Sequence, residues 1–104
     1  MQGRLTAIAL ALAVSAHAAA AHEGFAPEQI GKGAAIYEQN CSPCHGNRML
    51  DPNSAFDLRT FPADQKSRFV NSVLKGFNAM PPWADLLKPE DVEALWAYVR
   101  AGER

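Results

Sequence analysis

Apolar positions recur at helical spacing in three stretches of this chain, and no stretch sustains the period-two alternation of a strand. The first begins near Pro27, a residue suited to an opening helical turn, and runs to about Asn40 with Ile30, Ala34 and Tyr37 at helical spacing. Gly31 and Gly33 weaken it as an isolated helix, so their use would be to let another helix approach closely. The second runs from about Pro62 or Ala63 to Lys75, carries Phe69, Val70, Val73 and Leu74 as one stripe, and stops at Gly76. The third opens at Pro89 with Glu90 and Asp91 in its first turn, where acidic side chains complement the helix dipole. It presents Val92, Leu95, Trp96 and Val99 on a broad apolar face and ends at Gly102. Two loops connect them, Gly46 to Thr60 and Phe77 to Lys88, punctuated by Pro52, Asn53 and Ser54 and by Pro81 and Pro82. The pattern predicts an all-α domain with three main helices and no internal repeat.

The segment from Met1 to about Ala21 differs in kind. Arg4 precedes an apolar run from Leu5 to Val14, and small residues then offer sites such as Ala16-His17-Ala18 and Ala19-Ala20-Ala21, the pattern of a cleaved secretory signal peptide. The competing reading is an uncleaved anchor. The apolar run is shorter than the ~20 residues a span needs and is interrupted by Ser15 and His17. We expect a signal peptide over residues 1–21, a domain over 22–104, a periplasmic location, and no membrane span in the mature chain. That chain would have about 83 residues, enough for one domain with a modest core that a large apolar prosthetic group would help to fill.

Charge changes the picture little. The formal net charge is −1, which excludes a polybasic nucleic-acid binder. Acidic residues predominate at both ends of the mature chain and the middle is mildly basic, an arrangement that could orient a partner or could be an ordinary solvated surface.

The chemistry lies in Cys41-Ser42-Pro43-Cys44-His45, a C-x-x-C-H run, which is the attachment signature of c-type haem. Two thiols separated by two residues can each add to one vinyl group of a single porphyrin, and the adjoining His45 then falls beneath the iron. C-x-x-C alone also serves dithiol redox pairs and zinc sites. A structural zinc ion wants about four ligands, whereas this chain has two cysteines and three histidines, of which His17 and His22 lie in or beside the leader. A thioredoxin-type pair wants a βαβ setting that the pattern lacks. Haem iron in electron carriers commonly takes His and Met. Met1 leaves with the leader, and Met49 stands four residues past His45 on a tether that would hold it to the proximal side. Met80 stands 35 residues on, ahead of the stiff Pro81-Pro82 pair, with chain enough to pass around a ring edge. The alternative for Met80 is ordinary core filler.

The run from Gly33 through Tyr37 to His45, together with the late Met80-Pro81 and the closing Leu95-Trp96-Ala97-Tyr98-Val99, resembles class I cytochromes c over essentially the whole mature chain. The resemblance implies the small class I cytochrome c fold wrapped around one covalently attached haem c. It also implies terminal helices that cross at a glycine, which would give Gly33, Tyr37, Leu95 and Tyr98 a structural role. It implies Cys41 and Cys44 as thioether anchors, His45 and Met80 as axial ligands, and a backbone carbonyl, that of Pro43, accepting from the second ring nitrogen of His45. Phe56-Asp57-Leu58-Arg59 and Met80-Pro81-Pro82-Trp83 further resemble small cytochromes that take electrons from quinoprotein alcohol dehydrogenases, and haem domains fused to such enzymes. The chain departs from the mitochondrial branch in its shorter span between His45 and Met80 and in having no lysine-rich face.

The expected function is a monomeric one-electron carrier, not an enzyme. Its partners would be redox proteins, a donor dehydrogenase and an acceptor cytochrome or oxidase. A small haem subunit of a larger complex would share the chemistry, and a five-coordinate haem enzyme or gas-binding protein is the rival from another class. Phe56, Leu58, Phe61, Phe69, Val73 and Leu74 are candidates for the haem pocket, and Arg59 or Trp83 for bonding a propionate.

Overall fold

The computed structural model describes residues 24–50, 52 and 55–102; the leader expected over residues 1–21 lies outside them. Among the described residues the α-helices are α1 (Pro27–Asn40), α2 (Ser42–His45), α3 (Lys66–Lys75) and α4 (Pro89–Ala101), with 3₁₀ turns over Asn47–Met49 and Leu58–Thr60. The described residues contain no strand, and the isolated bridge between Phe77 and Met80 closes a turn. This is the expected small all-α class I cytochrome c fold.

α1 and α4 have the bounds that their opening prolines predict. α3 begins later than expected, because Gln65 leaves helical geometry and its N–H donates instead to the Pro62 carbonyl oxygen at 3.2 Å, closing a turn ahead of Lys66. The short α2 was not legible as a helix. Its four residues carry the second thiol and the histidine of the C-x-x-C-H run.

The frame that positions everything else is the crossing of α1 and α4. Gly33 is buried at the crossing, and a methyl group built on it would overlap the Ala94 carbonyl oxygen and lie 2.9 Å from the Tyr98 Cβ. Tyr37 stacks on Tyr98 across the same crossing, with ring centroids 5.2 Å apart. α4 is buried almost all round, from Ala94 to Val99 without interruption, since α1 takes one side and α3 another. Phe61, Phe69 and Trp96 form an aromatic cluster with centroids 5.1–6.1 Å apart, in which Phe61 meets both partners edge-to-face, a geometry favoured by aromatic quadrupoles. Among the described residues no helix is long and apolar enough to cross a membrane.

Asp91 ties the frame at the start of α4. Its carboxylate accepts from the Lys88 backbone N–H at 2.9 Å and pairs with Lys32 of α1 at 3.2 Å. The backbone hydrogen bond first, and the Lys32 ammonium second, hold the Asp91 carboxyl below its ordinary value. A carboxyl depressed in the folded state contributes stability that is present above its unfolded value of about 3.9 and lost as pH falls through the folded one. Asp91→Asn should therefore lower Tm at neutral pH, and the gap to wild type should close on acidification below about pH 4. A gap that persists unchanged at low pH would show that the charge is not what Asp91 contributes.

Candidate functional site

α1 delivers Cys41 at its C-terminal end, and α2 turns at once to carry Cys44 and His45. The turn is fixed from within the protein: the Tyr37 hydroxyl donates to the Gly46 carbonyl oxygen at 2.6 Å, and the His45 N–H donates to the Cys41 carbonyl oxygen at 2.9 Å. Burial pushes the Tyr37 phenol well above its ordinary value, so it remains a donor. Tyr37→Phe should cost about 1–2 kcal/mol by leaving the Gly46 carbonyl without this partner, read as a fall in Tm. A change of a few tenths would mean that water replaces the hydroxyl.

Beyond Gly46 the chain turns sharply, with Arg48 and Met49 both at left-handed φ (58° and 63°). The turn sends Met49 into the core, where it is 1% exposed. Met49 does not line the cavity described next; Met80 does.

That cavity, of about 450 Å³, lies between the C-x-x-C-H turn and the Met80 loop. Cys41, Cys44, His45 and Met80 all line it, so the structure brings the four predicted site residues to a single space. Of the expected pocket residues, Phe56, Leu58, Phe61, Phe69 and Val73 line it and Leu74 does not. α4 contributes Leu95 and Val99. The two cysteines form no disulfide, and burial first, then the neighbouring Cys44, pushes the Cys41 thiol up to about 11.

His45 Nδ1 lies 3.0 Å from the Phe56 carbonyl oxygen. The expected partner, Pro43, is not the one used: the loop after α2 folds back and brings the Phe56 carbonyl oxygen to Nδ1. With its proton on Nδ1, the ring donates to that carbonyl, which fixes the tautomer and leaves the Nε2 lone pair available to a metal.

Arg59 also differs from expectation. It is drawn to Asp57 two residues earlier, with Nε 3.2 Å from Oδ1, and does not line the cavity. Trp83 does. The cation on the wall is Arg68, which the sequence reading passed over; its guanidinium sits 4.5 Å from the Phe61 ring centroid and its Nε donates to Gln65 Oε1 at 2.6 Å. Asn40, Ser72 and Asn78 are further polar wall residues that the apolar periodicity could not flag.

The residues present fit a haem. The space falls in the ~300–1,000 Å³ range of small-molecule sites, its walls are mostly aliphatic and aromatic, two thiols open on it, and an imidazole stands with one nitrogen engaged and the other free.

A helical frame closed at a glycine, holding C-x-x-C-H against an apolar cavity, defines a small haem-binding domain. The family described as "Cytochrome C oxidase, cbb3-type, subunit III" matches residues 28–99. The chain is 38% identical over 81 residues to the quinohemoprotein alcohol dehydrogenase ADH IIB of Pseudomonas putida, a match that takes in 75% of this chain but only 12% of that enzyme. It is 36% identical over 103 residues to cytochrome c-555 of Methylococcus capsulatus, covering 93% of this chain and 80% of that one. Against cytochrome c6 of Microcystis aeruginosa it is 35% identical over 74 residues, 66% of this chain and 91% of that one. No solved structure gives a significant match. The chain belongs to the c-type cytochromes, as an electron-carrier domain with haem c as its covalently attached cofactor.

Proposed function

We propose that this chain is a periplasmic, monomeric one-electron carrier with six-coordinate haem c, exchanging electrons between a dehydrogenase and a downstream cytochrome or oxidase. The observation that carries the reading is the convergence of Cys41, Cys44, His45 and Met80 on one apolar cavity. Haem bound there supplies a one-electron ferrous–ferric couple. Cys41 and Cys44 would hold it as thioethers, and His45 through Nε2 and Met80 through its sulfur would ligate the iron. The Phe56 carbonyl orients His45 and raises its basicity, while the aliphatic and aromatic walls exclude water. Arg68 and Trp83, which line the cavity, would be the side chains to bond the propionates. With His45 and Met80 both holding the iron, no coordination site would be left open for catalysis, which separates this reading from a gas-binding or peroxidase-like protein.

A quinoprotein alcohol dehydrogenase is the donor we favour, because the matching relative in Pseudomonas putida is by name a quinohemoprotein alcohol dehydrogenase. Export by the N-terminal leader would bring the chain to the compartment where such partners work. The test is stopped-flow reduction of the purified ferric protein by a reduced quinoprotein dehydrogenase. Saturable, fast reduction is the expected result, and reduction no faster than by free quinol would remove the dehydrogenase from the proposal. A second reading, a haem subunit of an oxidase complex, draws on the family description. It would show as co-purification with membrane-bound oxidase subunits instead of a free monomer on gel filtration.

A further inference from the structure

The Met80 segment is a strap closed on itself and tied back to α3. Phe77 N–H donates to the Met80 carbonyl oxygen at 3.0 Å and Met80 N–H donates to the Phe77 carbonyl oxygen at 2.9 Å, which closes a turn with Asn78 and Ala79 at its tip. Beyond the prolines, Trp83 N–H donates to the Val73 carbonyl oxygen at 2.9 Å and Ala84 N–H to that of Leu74 at 3.3 Å. The carbonyls that α3 leaves unsatisfied at its C-terminal end thus hold the far side of the strap.

Two residues set the shape of this strap by backbone conformation. Gly76 has φ +83°, and a methyl group on it would lie 2.6 Å from the Met80 carbonyl oxygen and 3.0 Å from the Pro82 nitrogen, so the strap occupies the space a side chain would take. Asn78 has φ +54°, at the first central position of the turn. Left-handed φ costs an ordinary L-residue energy, and Asn and Gly bear it best. Phe77, Asn78, Ala79 and Met80 together line the cavity, so the turn forms part of its wall. On the backbone side, the direction of Met80 is held by the pair of reciprocal hydrogen bonds and by the φ of Asn78.

We infer that Asn78 is a positioning residue for the axial thioether: its left-handed backbone holds the Phe77–Met80 turn shut, and so sets how well Met80 competes with outside ligands for the iron. The inference rests on the reading of Met80 as axial ligand, and the experiment separates the two. Ferric holoprotein of wild type, Asn78→Ala, Asn78→Gly and Met80→Ala is titrated with imidazole at neutral pH, well below Tm, following the Soret band and the near-infrared Met-to-iron band. Asn78→Ala should bind imidazole about tenfold more tightly than wild type, and Asn78→Gly, which accepts the same φ, should return to within about threefold of wild type. Met80→Ala should bind more tightly than all of them and lack the near-infrared band. A general loss of stability would lower Tm without producing this ordering of affinities. If Asn78→Ala stays within twofold of wild type while Met80→Ala moves, the positioning role is overturned and the ligand stands. If Met80→Ala itself leaves affinity and band unchanged, the ligand assignment falls and the inference falls with it.

Discussion

Gly33→Ala should cost the protein about 3 kcal/mol and lower its Tm by roughly 15 °C, at some 4–8 °C per kcal/mol for a domain of this size. The reason is geometric. The added methyl meets the Ala94 backbone carbonyl, not the end of a flexible side chain, and it also crowds the Tyr98 Cβ, so relief requires α1 and α4 to separate. Separation would unstack Tyr37 from Tyr98 and loosen the hydroxyl that secures the Gly46 carbonyl, so damage at the crossing would spread to the C-x-x-C-H turn. Gly31 supplies the control within the same helix. It has nothing within 4 Å of its missing methyl, and Gly31→Ala should be neutral or stabilise by up to about 1 kcal/mol through helix propensity. Thermal melts of the two holoproteins decide the matter: equal Tm values would mean that the crossing is not where the fold is pinned.

Met80→Ala should have the largest effect on redox behaviour. On the proposed ligation the change would remove a thioether that favours ferrous iron, and axial ligands span about 0.8 V across haem proteins. A fall on the order of 0.12 V is expected, which at ~59 mV per decade shifts the ferrous-to-ferric balance about a hundredfold. The reduced variant should also bind carbon monoxide readily at neutral pH, and wild type should not. Met49→Leu is the companion measurement. Met49 sits in the core, 1% exposed, so a shape-conserving swap should cost less than about 1.5 kcal/mol and leave the spectrum intact. Were Met49→Leu to abolish the near-infrared band instead, the axial ligand would have been assigned to the wrong methionine.

The parts of this protein legible in its sequence are those written in side chains. Pro27 and Pro89 opened their helices, Gly33 marked the crossing, and C-x-x-C-H with a late Met-Pro put four residues on one cavity. What escaped notice depends on backbone atoms and local competition. The partner of His45 is a carbonyl, and every residue has one; only the path of the loop selects Phe56 over Pro43. Arg59 looked free for a propionate, yet Asp57 stands two residues away and takes its guanidinium. Arg68 stands off the apolar stripe of α3, and only the packing of that helix shows its guanidinium over the Phe61 ring on the cavity wall. Asn78 did leave a signal: Asn close behind a helix-stopping Gly is a turn signature, and it passed unused.

The pairing of α1 with α4 also has a consequence in time. α1 is made near the start of the domain and its principal partner near the end, so a growing or translocating chain has no means of completing the crossing until α4 arrives. Until then Tyr37 has no Tyr98 to stack on, and the wall contributed by Leu95 and Val99 does not yet exist. Cys41 and Cys44 therefore sit in a chain whose helical frame stays open until its last helix has been made.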